Sequence, residues 1–470
     1  MSRLRHPIVQ VGIAVVLTLP WTVTFAYNFL VSAGFVPGSA VHLGTGLEVL
    51  TTGLAVLGAS FLLAWAAETA EKDVPRAFAI AVLAILAVAP EYAVDALYAW
   101  NAGAGGATTA ACESTVAAGA EIARACHDAN LAVANMTGAN RILIGIGWAG
   151  IAFYTVWKAY QTSDPAVENR DGFLADVIHI DRGLSTEIAF LLAATVIAFV
   201  VPLSGGVGMI DTVLLVGLYV LYIGIVIRGD IEEVEEQVGV PAYFQAKRQA
   251  IRIPIVLALF AYSGLMIFIA VEPFAHGLEA IGVSIGVPEF FMIQWIAPLA
   301  SEAPELIVVA VLVNKARSTA GFNALISSKL NQWTLLIGTI AVVYSLGLGS
   351  LGTLPFDTKQ TAEIWITAAQ SFFALSILIN FEMSMREALG LFALFISQVA
   401  IEFLILRVLS LADPEAASLA MLHVFTAVYI VLGVALFYRR RHALSEVYTR
   451  AGNAARTAIG KEPVAIEGAD

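Results

Sequence analysis

Ala89-Pro90-Glu91 and Ala303-Pro304-Glu305 each lie inside a long apolar run, and the reading of these two steps decides the fold. Proline removes a backbone donor and breaks a helix, and a carboxylate at membrane depth is costly. One such step would be an irregularity. Two of them, about half a chain apart, predict two broken helices that meet at one ion site.

The surrounding composition agrees. Of 470 residues, 59% are hydrophobic and 13% are charged, where soluble domains carry about 25% charge. The chain therefore reads as an all-α integral membrane protein. Twelve apolar runs are long enough to cross a bilayer, at roughly 7–33, 43–69, 75–100, 129–158, 184–203, 208–228, 251–272, 288–314, 319–349, 361–380, 387–409 and 416–438, since a span needs about 20 residues. The first run follows Arg3 and Arg5 as a signal peptide would. It is too long for an h-region and lacks a clean cleavage site, so it reads as a retained helix.

Basic residues orient these spans. With the N-terminus inside, 20 of the 25 lysines and arginines fall on inner loops or the tail, while Arg124, Lys359 and Arg407 fall outside. Both termini are expected in the cytoplasm and the protein in the plasma (inner) membrane. Arg141 and Lys329 fall within spans. The net charge of −12 belongs to loops and tail and implies no acidic partner; a nucleic-acid partner is not expected either. Cys112 and Cys126 lie in the longest outer loop. An oxidising compartment favours a disulfide there, with two free thiols as the alternative.

The halves correspond. Trp65-Ala66-Ala67-Glu68 ends one span before Val74-Pro75 and the first Pro-Glu step; Phe268 to Glu272 ends another before Val287-Pro288 and the second. The second span starts outside and its counterpart, the seventh, starts inside, so the repeats are inverted, as alternating access requires. The expected organisation is an extra helix in 1–42, a first five-helix repeat in 43–230, an acidic linker in 231–250, an inverted second repeat in 251–410, and an extra helix and tail in 411–470. The linker glutamates Glu232, Glu233, Glu235 and Glu236 read as a solvated charge run, with a regulatory cation site as the alternative.

Around the helix-breaking Pro90 and Pro304 the candidate ligands gather. Glu91 and Asp95 are four apart and share a helix face; Ser301, Glu302 and Glu305 flank Pro304. Pro90 frees a backbone carbonyl about one turn earlier. Carboxylates, hydroxyls and freed carbonyls suit a hard cation such as calcium or sodium. Downstream, each half carries a polar cluster inside a span: Asn130, Asn135, Thr137, Gly138, Asn140 and Arg141, then Ser327, Ser328, Lys329, Asn331 and Gln332. Some of these amide and small residues would serve equally well as helix-packing residues. No H-E-x-x-H motif is present, so an intramembrane metalloprotease is disfavoured and the chain is not read as an enzyme. Two broken half-sites suit a transporter better than a channel.

With these residues the chain resembles the calcium/cation antiporter superfamily, typified by sodium/calcium exchangers, whose inverted repeats each carry G-T-S-x-P-E and then G-S-N-x-x-N/D. Ser301-Glu302-Ala303-Pro304-Glu305 and Ser327-Ser328-Lys329-Leu330-Asn331-Gln332 keep the family spacing, with 24 residues from Glu305 to Lys329. In the first half Pro90-Glu91 and Gly138-Ala139-Asn140 match, and the interval of 49 residues accommodates the cysteine-bearing loop. The resemblance implies that Glu91 and Glu305 are the central carboxylates that bind the metal, with Ser301 and Ser328 as hydroxyl or carbonyl ligands and Asn140 and Gln332 at further ligand positions. There are departures: Ala139 and Leu143 replace polar ligands, Gln332 replaces an acid, Glu302 a serine and Lys329 an asparagine, while Asp95 is an added acid.

The function these features imply is exchange of a cation, calcium first, against Na+ or H+ by alternating access; the alternative is a sodium/proton antiporter on the same fold. No cofactor is expected beyond the transported cations, and the partners are inorganic cations and the lipid bilayer. Glu91, Asp95, Glu302 and Glu305 sum to −4, Lys329 brings this to −3, and an inward-facing Arg141 would bring it to −2. A lysine ammonium can stand in for a bound monovalent cation; the alternative is that Lys329 snorkels to the inner surface.

Overall fold

The computed structural model describes residues 6–73, 89–113, 115–161, 164–228 and 239–464. Helix dominates. Its elements are α1 (Pro7–Ser32), α2 (Thr45–Ala70), α3 (Ala89–Ala104), α4 (Thr109–Glu113), α5 (Thr115–Ile142), α6 (Ala149–Ala159), α7 (Ser185–Val200), α8 (Met209–Arg228), α9 (Val240–Gln245), α10 (Gln249–Ile285), α11 (Ala297–Asn314), α12 (Ser318–Asn331), α13 (Ile337–Leu348), α14 (Thr358–Leu378), α15 (Met385–Phe403), α16 (Pro414–Arg439) and α17 (Arg441–Ala458). Ten helices among the described residues are long and apolar enough to cross a membrane, and an eleventh span is bent by 48° where Glu289–Ala303 meets Glu305–Asn314. That bend sits at Pro304, where the sequence predicts a break.

The twelfth expected span, 75–100, is represented by α3; its first half lies outside the described residues. So do Val74-Pro75, the carbonyl one turn before Pro90, and the linker glutamates. Two spans outrun their apolar runs. α10 continues thirteen residues past Glu272, through Pro273, to a left-handed C-cap at Gly286 (φ 67°), because glycine alone adopts that conformation without strain. The fourth span starts at Gly119, so the polar stretch before residue 129 is helical as well.

The chain forms two compact units, Met1–Leu97 with Val234–Glu305 and Tyr98–Glu233 with Leu306–Asp470. It crosses from one to the other inside α3 and inside α11, the two Pro-Glu helices.

In the first unit α2 runs antiparallel to α10, and α1 packs on α2. The α2–α10 crossing depends on small residues: a Cβ on Gly277 would lie 2.4 Å from Val49, and one on Gly53 would lie 2.9 Å from Phe274. Without water, membrane helices associate through such close approach. Pro273 cannot donate to the Ile269 carbonyl, and the Trp21 indole N–H takes that carbonyl at 3.1 Å, so the break leaves no orphaned group in the apolar layer. At the far end, Arg252 forms a two-pronged ion pair with Asp73 and donates to the Gln245 and Lys247 carbonyls. Gln245 in turn donates to the Glu68 carbonyl at 2.7 Å. Helix α9 is thereby stapled between the end of α2 and the start of α10.

In the second unit, capping residues start the helices where the hydropathy suggests: Asp357 accepts from the Gln360 N–H, and Ser384 forms a capping box with Glu387. Two small antiparallel sheets tie loops together. β1 (Val167–Glu168), β2 (Val177–His179) and β5 (Glu382–Ser384) form one; β3 (Gly206–Val207) and β4 (Leu354–Pro355) form the other. On the first sheet, Arg170 and His179 both hydrogen-bond Glu168 and hold its carboxyl down at about 2. Cys112 and Cys126 are joined in a disulfide between α4 and α5, with Cα atoms 5.7 Å apart.

Candidate functional site

Helix α3 is described from Ala89, which places Glu91 in the first turn of the described helix. Glu91 and Asp95, one turn apart, are 3% and 2% exposed. The bend at Pro304 brings the second half-site to the same place. Ser301 hydrogen-bonds the Glu91 carboxylate, and both Glu305 and Asp95 lie within electrostatic reach of Glu91. The Ser301 hydroxyl also donates to the Pro298 carbonyl one turn back, at 3.2 Å. Glu302 is 1% exposed and Ser301 7%. The two Pro-Glu steps, 214 positions apart in the sequence, thus meet within the first unit.

One Glu91 carboxylate oxygen, Oε2, is buried with no hydrogen-bond partner among the described residues. Burying a carboxylate in this way is expensive unless a cation or proton joins it. Among the described residues no three His, Cys, Asp or Glu side chains are grouped closely enough to hold a metal ion. An incoming metal would need the bend at Pro304 or the side chains to adjust, together with oxygen from Ser301 and backbone.

The second polar motifs lie in the other unit. Asn140 and Lys329, at matching motif positions, contact each other: Lys329 Nζ donates to the Asn140 side-chain oxygen at 2.7 Å and to its carbonyl at 3.3 Å. The ammonium also lies 4.3 Å from the Trp333 ring centroid, a cation–π distance. Lys329 is 0% exposed, so it does not snorkel to the surface. Asn140 is fixed by its own donation to the Met136 carbonyl at 2.8 Å. Gln332 is fully buried next to this pair in sequence, and Ser328 is half-buried on α12.

Sequence reasoning missed two features here. Arg141 is fully buried and pairs at 2.5 Å with Glu363 of α14, itself fully buried. Gln370 donates to the Arg141 carbonyl at 3.4 Å. A lone carboxylate inside the run 361–380 was the available signal, since an intramembrane charge calls for a named partner. The second feature is backbone. A π-helical turn follows each polar motif directly, at Leu143–Trp148 and Gln332–Leu336, and a third, Met292–Ile296, precedes the second Pro-Glu step. Such wide turns are rare and frequent at functional sites, and no side-chain pattern announces them. Asn130 stands apart from the buried groups and donates to Asp357 near the surface.

The family described as sodium/calcium exchanger protein matches residues 43–228 and 255–404. The crystal structure of the H+/Ca2+ exchanger CAX is 38% identical, with a TM-score of 0.78 over 95% of this chain and 98% of that one. The Ca2+/H+ antiporter protein YfkE shares the fold at 11% identity, with a TM-score of 0.54 over 84% of this chain and 98% of that one. Among curated proteins no match was found. On the extent of the family match and of the resemblance to CAX, this integral membrane protein belongs to the sodium/calcium exchanger family.

Proposed function

We propose that this cation antiporter exchanges calcium against protons, with Glu91 and Glu305 as the central carboxylates, Asp95, Glu302 and Ser301 completing their surroundings, and both termini in the cytoplasm. The observation that carries the reading is the meeting of Glu91 with Ser301 and Glu305, one from each Pro-Glu step. Calcium needs six to eight oxygens and binds carboxylates best; when it leaves, buried carboxylates need replacement positive charge. Protons supply that charge without a coordination shell. The 38% identity to an H+/Ca2+ exchanger supports the same pair of ions. Alternating access follows if the half-site at Pro90 and the half-site at Pro304 open toward opposite faces in turn.

Lys329 gives a reason for fewer driving ions. Its ammonium, held by Asn140 and Trp333, stands at a motif position where the family carries a neutral amide and can take the place of a bound monovalent cation. The test is reconstitution into liposomes with calcium uptake measured against outward proton or sodium gradients. A proton gradient alone should drive uptake, and Glu91→Gln or Glu305→Gln should abolish it. Uptake that requires sodium would overturn the choice of counter-ion. No calcium movement under either gradient would favour sodium/proton exchange instead.

A further inference from the structure

The second unit holds another group of buried polar side chains that the exchange site does not use. On α15 the buried residues Ala388, Leu391, Phe395, Gln398 and Glu402 recur every three or four positions, which makes one inward-facing stripe. Phe395 seats that stripe on the π-helical turn at Gly145, where an added Cβ would lie 2.3 Å from its ring. The next two members of the stripe are polar. Gln398 and Glu402 lie one turn apart on the same face, and each is 0% exposed.

Glu402 Oε1 is 3.3 Å from Lys359 Nζ and 3.5 Å from the Ser418 hydroxyl. Its Oε2, and both amide atoms of Gln398, are buried with no hydrogen-bond partner among the described residues. In an apolar layer an unsatisfied carboxylate oxygen and amide call for a ligand. Lys359, in the first turn of α14, keeps 28% of its side chain exposed while Glu402 keeps none. The lysine thus reaches the carboxylate from the rim of the cluster. Its four-carbon stem is flexible, and its ammonium is a compact point charge.

We propose that Glu402, Gln398 and Ser418 form a binding site for a monovalent metal cation, with the Lys359 ammonium as its tethered competitor. The donors are a carboxylate, an amide oxygen and a hydroxyl, all hard oxygens suited to an alkali cation. Charge decides the valence. The Glu402–Lys359 pair is neutral, and a monovalent cation that displaces the ammonium to the surface keeps the buried cluster neutral. A divalent ion would leave an uncompensated buried charge. The site is independent of the Pro-Glu carboxylates and of which ions they exchange.

The purified full-length protein provides the test. Acylation of Lys359 by an amine-reactive reagent, followed by mass spectrometry, reads how often its ammonium leaves Glu402. Sodium chloride should raise the Lys359 labelling rate several-fold to a plateau, where choline chloride at equal ionic strength does not; a potassium arm identifies the preferred ion. In Glu402→Gln the rate should be high and indifferent to sodium. Equal rates in sodium and choline for the wild type, or the same sodium response in Glu402→Gln, would overturn the proposal. In Lys359→Gln, sodium should raise Tm saturably, by about 2 °C or more, above any rise seen in Lys359→Gln/Glu402→Gln. A Lys359→Gln protein whose Tm follows pH and ignores sodium would also overturn it. If Lys359→Gln does not fold, the wild-type labelling experiment stands alone.

Discussion

Two fully buried cations in the second unit are stabilised in different ways. Arg141 has a carboxylate, Glu363, at 2.5 Å. Lys329 has an amide oxygen, a carbonyl and the face of Trp333. A guanidinium stays charged under all physiological conditions, so removing its partner strands a charge in a low dielectric. Glu363→Gln is expected to destabilise the protein by about 3–5 kcal/mol, visible as a large fall in Tm in detergent. Replacing both partners together, Arg141→Leu with Glu363→Leu, should recover most of the loss, because the pair itself contributes little net stability. A double variant no better than Glu363→Gln would refute this. At this scale the Pro-Glu steps were legible because a charge beside a proline is anomalous in one local stretch. The Arg141–Glu363 pair was harder to read, since its members are 222 positions apart and neither sits beside a helix breaker.

At the scale of elements, hydropathy located the spans well, because a helix long enough to cross hydrocarbon must be apolar over its whole length. It did not show how the helices touch. The C-terminal half of α3 crosses α13 backbone to backbone: a Cβ on Gly103 would lie 2.2 Å from the Tyr344 carbonyl oxygen, and one on Gly347 would lie 2.5 Å from the Trp100 carbonyl. Gly103→Ala or Gly347→Ala must push the helices apart and should cost about 1–3 kcal/mol. Gly150→Ala on α6 meets nothing within 4 Å and should be neutral or slightly stabilising; similar Tm values for the three variants would refute this packing. The Asp73–Arg252 staple gives a pH signature. Arg252 holds the Asp73 carboxyl below its ordinary 3.8, so its contribution is complete above that value and is lost as pH falls through the lower, folded-state value. The Tm advantage of wild type over Asp73→Asn should therefore persist down to about pH 4 and shrink below it. An advantage that grows on acidification would contradict the staple.

For the whole molecule, the inverted arrangement is an expectation on which two independent sequence signals, motif spacing and basic-residue bias, agree. The identity of the counter-ion was not legible, since sodium and protons both leave carboxylates neutral and ask for the same residues. Charge balance separates them. Glu91, Asp95 and Glu302 are each at most 3% exposed, and a buried cluster of carboxylates tolerates little change in net charge. Calcium brings two positive charges, so about two must leave as it binds. If the driving ion is the proton, adding calcium to the protein in weakly buffered, sodium-free detergent should release about two protons per calcium bound. A pH-indicator dye with parallel calorimetry measures that ratio. Glu305→Gln removes a central carboxylate and should lower the affinity for calcium. Calcium binding with no proton release, but with affinity that falls as sodium is added, would assign the exchange to sodium.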